Sequence, residues 1–524
     1  MKNDTIVPSR CYPTRMAMLF VLAIVGGQRT TAQDIDDVAA AFAIERAFVR
    51  AISEAESSVV AIARYNLVHE TPDRNRDLLN PFRDSLRNRF GLRFGIDPSS
   101  PDFIPNEFGA GVIIARDKQP YILTNYHVVR GAPLVGTKVI STDTRLYLRL
   151  ADRRGFEARI LAADPRSDLA VLKIVSPMPP GHLVGIKPMK LGDATNIKKG
   201  QLVLALGNPY ALARDGSSSA SWGIISNIAR FPEPVGSRFD DESAKKETIH
   251  RFGTLLQIDT RQTIGTSGGA LVNLHGELIG ITTSLAALEG YEKSVGYAVP
   301  INSSTRRIID ALLQGLEVEY GFLGIQPGDV PAEELRLMSD TFQQQTAAKA
   351  RMVFPNSPAN RGGLSSHDVI LAVNNKPVYG RFDLMREIGM IGPGQEARLR
   401  IWRETARRIF TLEIELGKWP VLDTEGIIAT RTRFKPWNGL IVDYPTGRQK
   451  FIHTPLQYPS AVSVKRIESE SPADATELEV GDFITHVNQT PVQTPKEFHD
   501  AIDKKRQNHV TLHLLDGRRV VIPQ

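Results

Sequence analysis

A serine, a histidine and an aspartate, far apart in the chain, are the residues that together could do covalent chemistry. Ser267 lies in Gly265-Thr266-Ser267-Gly268-Gly269-Ala270. A serine hydroxyl is a weak nucleophile until a base takes its proton. Glycines around it allow a tight turn that points backbone N–H groups at one spot. The amides of Gly265 and Ser267 could then bind the oxygen that turns negative during acyl transfer. The same pattern also suits a glycine-rich hairpin or a phosphate loop. His127 ends the apolar run Leu123-Thr124-Asn125-Tyr126-His127, where an imidazole can face a cleft. As one of 11 histidines it equally suits packing or the surface. Asp168 precedes Leu169-Ala170-Val171-Leu172. An aspartate there either caps a turn or holds an imidazole in one tautomer and stabilises its protonated form.

The joint occurrence narrows the chemistry. Asp168 follows His127 by 41 residues and Ser267 follows Asp168 by 99, the order of chymotrypsin-type triads. The GxSxG elbow of α/β-hydrolases belongs to the order serine, acid, histidine, on alternating strands and helices; this chain has neither. HExxH is absent and the histidines lack ligand spacing. No metal and no cofactor are expected.

Those three residues need a frame, and the pattern from 108 to about 302 supplies one. Short apolar segments such as 111–114, 121–123, 169–172, 202–206 and 278–281 are broken by Gly, Pro and Asn, which predicts antiparallel barrels or a sandwich. Before this region, helical spacing covers 34–58 and a short strand follows at 58–62. Residues 66–107 carry five prolines and six arginines between Arg74 and Arg93, and read as a long insertion that touches a neighbouring subunit or domain. A helix is predicted over 304–313. Residues 357–378 and 471–492 form an internal repeat, with ten of 22 positions identical at an offset of 114. A repeat of that length indicates two copies of one small domain. Asp368 and Asp482 within it are expected to cap turns.

The 524-residue chain, 42% hydrophobic and 23% charged, has the composition of a globular protein of several domains. Its formal charge of +6 falls to +3 once residues 1–32 are set aside, so charge gives no case for nucleic acid. The single cysteine, Cys11, rules out a disulfide framework, a cysteine nucleophile and a thiolate zinc site. Lys2, Arg10 and Arg15, then the apolar stretch Met16 to Gly27 and the small residues Thr30-Thr31-Ala32, read as a signal peptide. An uncleaved anchor is the alternative, and either places the remainder outside the cytoplasm.

These segments give the chain a family likeness. TNYHVV (124–129), DPRSDLAVLKI (164–174), LGNPY (206–210), WGIIS (222–226), QID (257–259), GTSGGALVNLHGELIGI (265–281) and VGYAVPIN (295–302) resemble the HtrA/Deg family of serine proteases, and both repeat copies resemble PDZ domains. The likeness runs over about 36–524 and is weakest in 66–107 and 418–460. It implies a mainly β fold: a chymotrypsin-like double β-barrel protease domain followed by two α+β PDZ domains. The expected organisation is a signal peptide (1–32), an N-terminal helix and first strand (33–65), the insertion (66–107), the protease domain (108–315), a first PDZ domain (316–418) and a second (419–524).

The resemblance also implies roles. His127 matches the general base, Asp168 its orienting acid and Ser267 the nucleophile, with Gly265 and Ser267 as the oxyanion hole. Gln262, Thr263, Ile264 and Thr266 match an activation loop that switches between ordered and disordered states. Two departures fall there: Thr266 replaces the usual asparagine before the serine, and Thr263-Ile264 replace Asn-Arg or Asn-Pro. Arg261 and Gln262 stand near the specificity pocket, where an apolar side chain before the cut is expected. Phe322-Leu323-Gly324-Ile325 resembles a peptide carboxylate-binding loop, and Gly439-Leu440-Ile441-Val442 is its weaker counterpart. The implied activity is endoproteolysis of unfolded or damaged extracytoplasmic proteins, in the periplasm or its equivalent, by a trimer-based homo-oligomer that binds no nucleic acid. Two other readings stay open: an inactive PDZ scaffold or chaperone, compatible with Thr266, and a nucleic-acid binder using the arginines of 74–93, which predicts salt-dependent binding.

Overall fold

The computed structural model describes residues 31–66, 105, 107–130, 144–175, 185–208, 216–230, 248–263, 265–283, 296–338, 342, 344–421, 426–447, 457–503 and 509–523. The signal-peptide segment, nearly all of the 66–107 insertion and Ile264 lie outside them. Helix α1, Thr31–Glu56, precedes the barrels.

Six antiparallel strands form the first barrel: β1 (Val59–Asn66), β2 (Glu107–Arg116), β3 (Gln119–Asn125), β4 (Thr144–Leu150), β5 (Gly155–Asp164) and β6 (Leu169–Ile174). Their order is β5-β4-β1-β2-β3-β6, and pairing of β6 back onto β5 closes the ring. Short runs of Val, Ile and Leu suit this pleated, buried surface, and β2 is buried without interruption from Gly109 to Ile114. Asp117 and Lys118 turn the chain between β2 and β3 with positive φ of 49° and 62°, the geometry that matches strand twist in a two-residue hairpin.

The second barrel comprises β7 (Leu202–Gly207), β8 (Ser219–Arg230), β9 (Leu255–Ile258), β10 (Ala270–Val272), β11 (Leu278–Thr283) and β12 (Gly296–Pro300). It closes in the order β10-β11-β12-β9-β8-β7. Helix α2, Ser303–Leu313, starts at Asn302, whose side chain accepts from the Thr305 amide at 3.0 Å. It buries Ile308, Ile309 and Leu312 in the core shared with both barrels.

Two small sheets follow with one topology. In the first, Ile325–Val330, Ala347–Val353, Val369–Val373, Glu396–Arg403 and Arg408–Glu415 neighbour one another in that order, and Lys376–Pro377 pairs with Val369–Val373. In the second, Leu440–Asp443, Val462–Ile467, Phe483–Val487, His509–Leu514 and Arg519–Pro523 repeat it, with Thr490–Pro491 against Phe483–Val487. Each carries one longer helix, α3 (Arg381–Ile391) or α4 (Pro495–Asp503). The repeat extends to single contacts. Gly324 and Gly439 have φ of 80° and 82°, and a Cβ on either would come within 2.3 or 2.2 Å of Ser357 or Ser471. Asp368 accepts from the Ser365 amide at 2.8 Å and pairs with Arg403 at 2.6 Å. Asp482 accepts from the Glu479 amide at 2.9 Å and pairs with Arg518 at 2.6 Å. Both aspartates are the turn caps expected of them.

A buried charge cluster joins these parts. Lys418 is 1% exposed, and its ammonium lies 2.8 Å from Glu317, 3.5 Å from Glu319 and 2.7 Å from Asp443. Lys465 adds bridges of 2.6 Å to Glu317 and 3.0 Å to Asp443. Beyond the first sheet, Ile428–Ala429 pairs with β5 of the first barrel, Ile428 opposite Ala163. The beginning of the span assigned to the second repeat thus contributes a strand to the protease barrel. Arg433 then reaches Glu319 at 2.9 Å.

Removing one member of a buried ion pair leaves its partners charged and unsolvated, at a cost of about 3–5 kcal/mol. Lys418→Met is therefore expected to lower unfolding free energy by about that amount, measured by urea denaturation. Burial alone pushes the Glu317 carboxyl up, but Lys418, Lys465 and Arg166 outweigh it and hold it well below the ordinary 4.5. Its stabilising contribution is thus present above pH 4.5 and lost as pH falls through the depressed value. Burial opposes the Lys418 charge too, but Asp443, Glu317 and Glu319 hold its pKa above 10.5, so its contribution persists through neutral pH. Urea midpoints should fall between pH 6 and pH 3 in the wild type, and less steeply in Lys418→Met.

Candidate active site

His127 sits in a single helical turn, Tyr126–Val129, that leaves the end of β3. Asp168 sits in the turn between β5 and β6 with a left-handed φ of 52°. The fold brings them together at several atoms. Imidazole Nδ1 lies 2.9 and 3.0 Å from the two carboxylate oxygens of Asp168, and the His127 amide donates to Oδ1 at 3.1 Å. A carboxylate only accepts, so Nδ1 carries a hydrogen, and it is Nε2 that keeps the lone pair in the neutral imidazole. Asn125 Nδ2 and the Tyr126 amide each donate to the Asp168 carbonyl at 3.0 Å. Thr283 Oγ1 donates to Oδ2 at 3.2 Å. The His127 side chain is 15% exposed and that of Asp168 4%, so the pair is shielded but reachable.

Asp164 braces the turn that carries Asp168. Its Oδ2 accepts from the Ser167 amide at 3.0 Å, from Ser167 Oγ at 2.7 Å and from the Tyr320 hydroxyl. Its Oδ1 accepts from Arg166 Nε at 3.1 Å. Arg166 stacks over the Tyr320 ring at 4.6 Å. Burial, reinforced by Asp164, raises the Tyr320 hydroxyl well above its usual value, which keeps it a donor.

Ser267 is reached from the other barrel, in the turn before β10. Its carbonyl accepts from the Ala110 amide at 2.8 Å. Ala110 also accepts at its own carbonyl from Thr124 Oγ1 at 2.7 Å, three residues before His127. Neighbouring threonines on β11 tie the two halves: Thr282 donates from Oγ1 to the Thr266 carbonyl at 2.7 Å, while Thr283 holds Asp168. Gly265 has φ of 96°, and a Cβ there would meet the Asn208 carbonyl at 2.3 Å and the Phe108 ring at 2.7 Å. Only glycine fits that corner. Thr266 has a role in the turn: its Oγ1 donates to the Thr263 carbonyl at 2.7 Å and accepts from the Thr263 amide at 3.1 Å. Both amide atoms of Gln262 and the hydroxyl of Thr263 are buried without a hydrogen-bond partner.

The candidate peptide loop, Phe322 to Ile325, lines a groove of about 520 Å³ together with Leu384 and Ile388 of α3. Arg251 and Phe252, from the 3-10 turn Ile249–Phe252 before β9, line the same groove. Arg386 of α3 donates to the Phe252 carbonyl at 3.2 Å. In the second small module, Ile441 and Val442 line a larger cleft of about 1110 Å³, whereas Gly439 and Leu440 are not on its wall. Phe434 stacks on His499 of α4 there, 4.7 Å between ring centres. Among the described residues, no group of three His, Cys, Asp or Glu side chains is placed to hold a metal ion.

Asn125 was legible within its motif, but Thr283 was not, because its contact with Asp168 exists only once β11 is folded against the first barrel.

Comparison with known proteins finds two family domains in this chain. The trypsin-like peptidase domain family matches residues 109–281, and the PDZ domain family matches residues 445–518. A probable periplasmic serine endoprotease, DegP-like, of Pseudomonas fulva (strain 12-X) is 30% identical over 406 residues, covering 76% of this chain and 74% of that protein. The periplasmic serine endoprotease DegP of Salmonella typhimurium is 29% identical over 426 residues, covering 81% and 78%. The solved structure of the HtrA-type protease AlgW with a tripeptide matches with a TM-score of 0.48 at 24% identity, covering 72% of this chain and 99% of that one. The chain belongs to the DegP-like, HtrA-type family of serine endoproteases.

Proposed function

We propose that Ser267, His127 and Asp168 are the catalytic triad of this serine endopeptidase. The observation that carries the assignment is the Nδ1 contact of His127 with both Asp168 oxygens, which leaves Nε2 as the base. In this reading Nε2 takes the Ser267 proton as Oγ attacks the scissile carbonyl. The amides of Gly265 and Ser267 stabilise the resulting oxyanion. The imidazolium, held by Asp168, then protonates the leaving amine, and water attack on the acyl-enzyme repeats the proton transfers in reverse. Gln262, Thr263, Ile264 and Thr266 form the loop whose order sets basal activity; the Thr266–Thr263 bonds support that role.

Residues 316–418 act as a first PDZ domain in front of the second. The identical strand order and the matched Gly–Ser and Asp–Arg contacts support this reading. The groove beside Phe322, Leu323, Gly324 and Ile325 takes an extended peptide C-terminus, added as a strand with its carboxylate on backbone amides. Substrates are unfolded or damaged proteins outside the cytoplasm; the relatives named periplasmic support that location. The chain works as a homo-oligomer built from trimers. Trp222, 64% exposed beside Phe48 at 5.9 Å, supports an apolar contact between copies.

Ser267→Ala is expected to reduce casein hydrolysis by roughly 10³-fold or more, read by mass-spectrometric mapping of fragments, and a fluorophosphonate probe should label the wild type alone. Wild-type cleavage by that variant ends the triad assignment, and an unlabelled wild type with no cleavage supports a scaffold instead. Gly324→Val, which puts a side chain onto Ser357 at a left-handed position, should weaken binding of a fluorescent apolar C-terminal peptide by at least tenfold, read by anisotropy.

A further inference from the structure

His250 lies in the turn Ile249–Phe252, ahead of both small modules in the chain and outside every motif of the triad. It is 0% exposed. Its Nε2 is 3.0 Å from the carbonyl of Ser167, the residue before Asp168. A carbonyl only accepts, so Nε2 carries the hydrogen and donates. Nδ1 is then the acceptor, and Thr254 Oγ1 stands 2.6 Å from it. That second contact fixes both tautomer and ring orientation. Burial pushes the imidazole below its ordinary value, with Asp168, Ser167 and Asp164 acting in the opposite sense, so the ring is held toward its neutral form. The backbone supports the same alignment, since the Ile249 amide donates to the Arg166 carbonyl at 3.0 Å.

We propose that His250 is a positioning residue for the triad, fixing the peptide unit from which Asp168 projects. The rotation φ of Asp168 sets the Ser167 carbonyl relative to the rest of Asp168. That angle is 52°, a left-handed value that a non-glycine residue holds only under local constraint. On the far side, Asn125 Nδ2 and the Tyr126 amide hold the Asp168 carbonyl. His250 holds the near side. With both flanking peptide units pinned, the Cα–Cβ direction of Asp168 is set, and its carboxylate meets His127 without a search. Loss of the donor leaves a buried carbonyl unpaired and lets φ relax toward the commoner region, turning the carboxylate away from Nδ1. Small misplacements of this kind lower the rate of the chemical step rather than substrate affinity.

The inference rests on Asp168 being the triad acid, so Ser267→Ala is carried as a control. His250→Leu, His250→Gln and Thr254→Val are assayed in the full chain on fluorescein-labelled casein, with melting temperatures recorded. His250→Leu should lose at least tenfold in kcat with KM within twofold of wild type. His250→Gln, whose amide can donate to the same carbonyl, should recover most of that loss. Thr254→Val should lower kcat by a few-fold, again at constant KM. Wild-type kcat in a folded His250→Leu overturns the proposal, as does an equal loss in the Leu and Gln variants. If His250→Leu does not fold, Thr254→Val decides: unchanged kcat overturns, a kcat-only loss supports. A Ser267→Ala enzyme that still cleaves casein at the wild-type rate would instead remove the triad reading itself.

Discussion

The conformation of one residue, Asp168, is the constraint on which the site depends. Its carboxylate must face an imidazole that comes from another strand, and its backbone must adopt a left-handed turn to do so. Aspartate tolerates that region better than most residues, but tolerance does not select it. Selection comes from what surrounds it: the β5–β6 pairing, the Asp164 brace, the donors on its carbonyl and the threonine from β11. Each is ordinary as a single hydrogen bond, worth about 1 kcal/mol net. Together they leave the carboxylate one direction to point.

The two barrels divide the work in a way that follows from their closure. A closed ring has no free edge, so side chains at the ends of its strands are held by pairing on both sides. His127 and Asp168 leave the ends of β3 and β5 in the first ring, and Ser267 enters β10 in the second. Thr282 and Thr283, consecutive on β11, alternate across the strand, and this alternation lets one secure the serine turn while the other reaches the acid. Registration of the rings against each other is therefore read out at the chemistry.

What the sequence made legible follows from how local each feature is. The serine turn was visible because glycine at a tight corner and serine beside it are adjacent in the chain, and the strands were visible because their apolar runs are unbroken. The repeat at an offset of 114 carried its own turn caps, so Asp368 and Asp482 could be assigned before their partners were known. His250, Thr283 and Lys418 were not legible. Their neighbours in sequence say nothing unusual, and their partners come from 83, 115 and 25 residues away. A lysine is ordinarily an exposed residue, so composition argues against a buried one until three carboxylates are seen to enclose it. The strand at 428–429 was hidden for a related reason: two residues make no periodic signal, and only the stretch of β5 beyond its pairing with β4 reveals their use.

The same locality argument explains where the modules meet. Links made along a repeat unit are copied when the unit is copied, and the Asp–Arg and Gly–Ser contacts occur twice. Links between units cannot be copied, because each copy has different neighbours. Lys418 with Glu317, Glu319 and Asp443, Tyr320 with Asp164, and Arg386 with the Phe252 carbonyl each occur once, and each joins segments of different modules. Two of these end on elements in contact with the turn of Asp168: Tyr320 on the Asp164 brace, Phe252 on the turn that carries His250. The first small module is thereby fastened to the barrel beside the supports of the Asp168 carboxylate, so its placement and the geometry of Asp168 are parts of one mechanical problem.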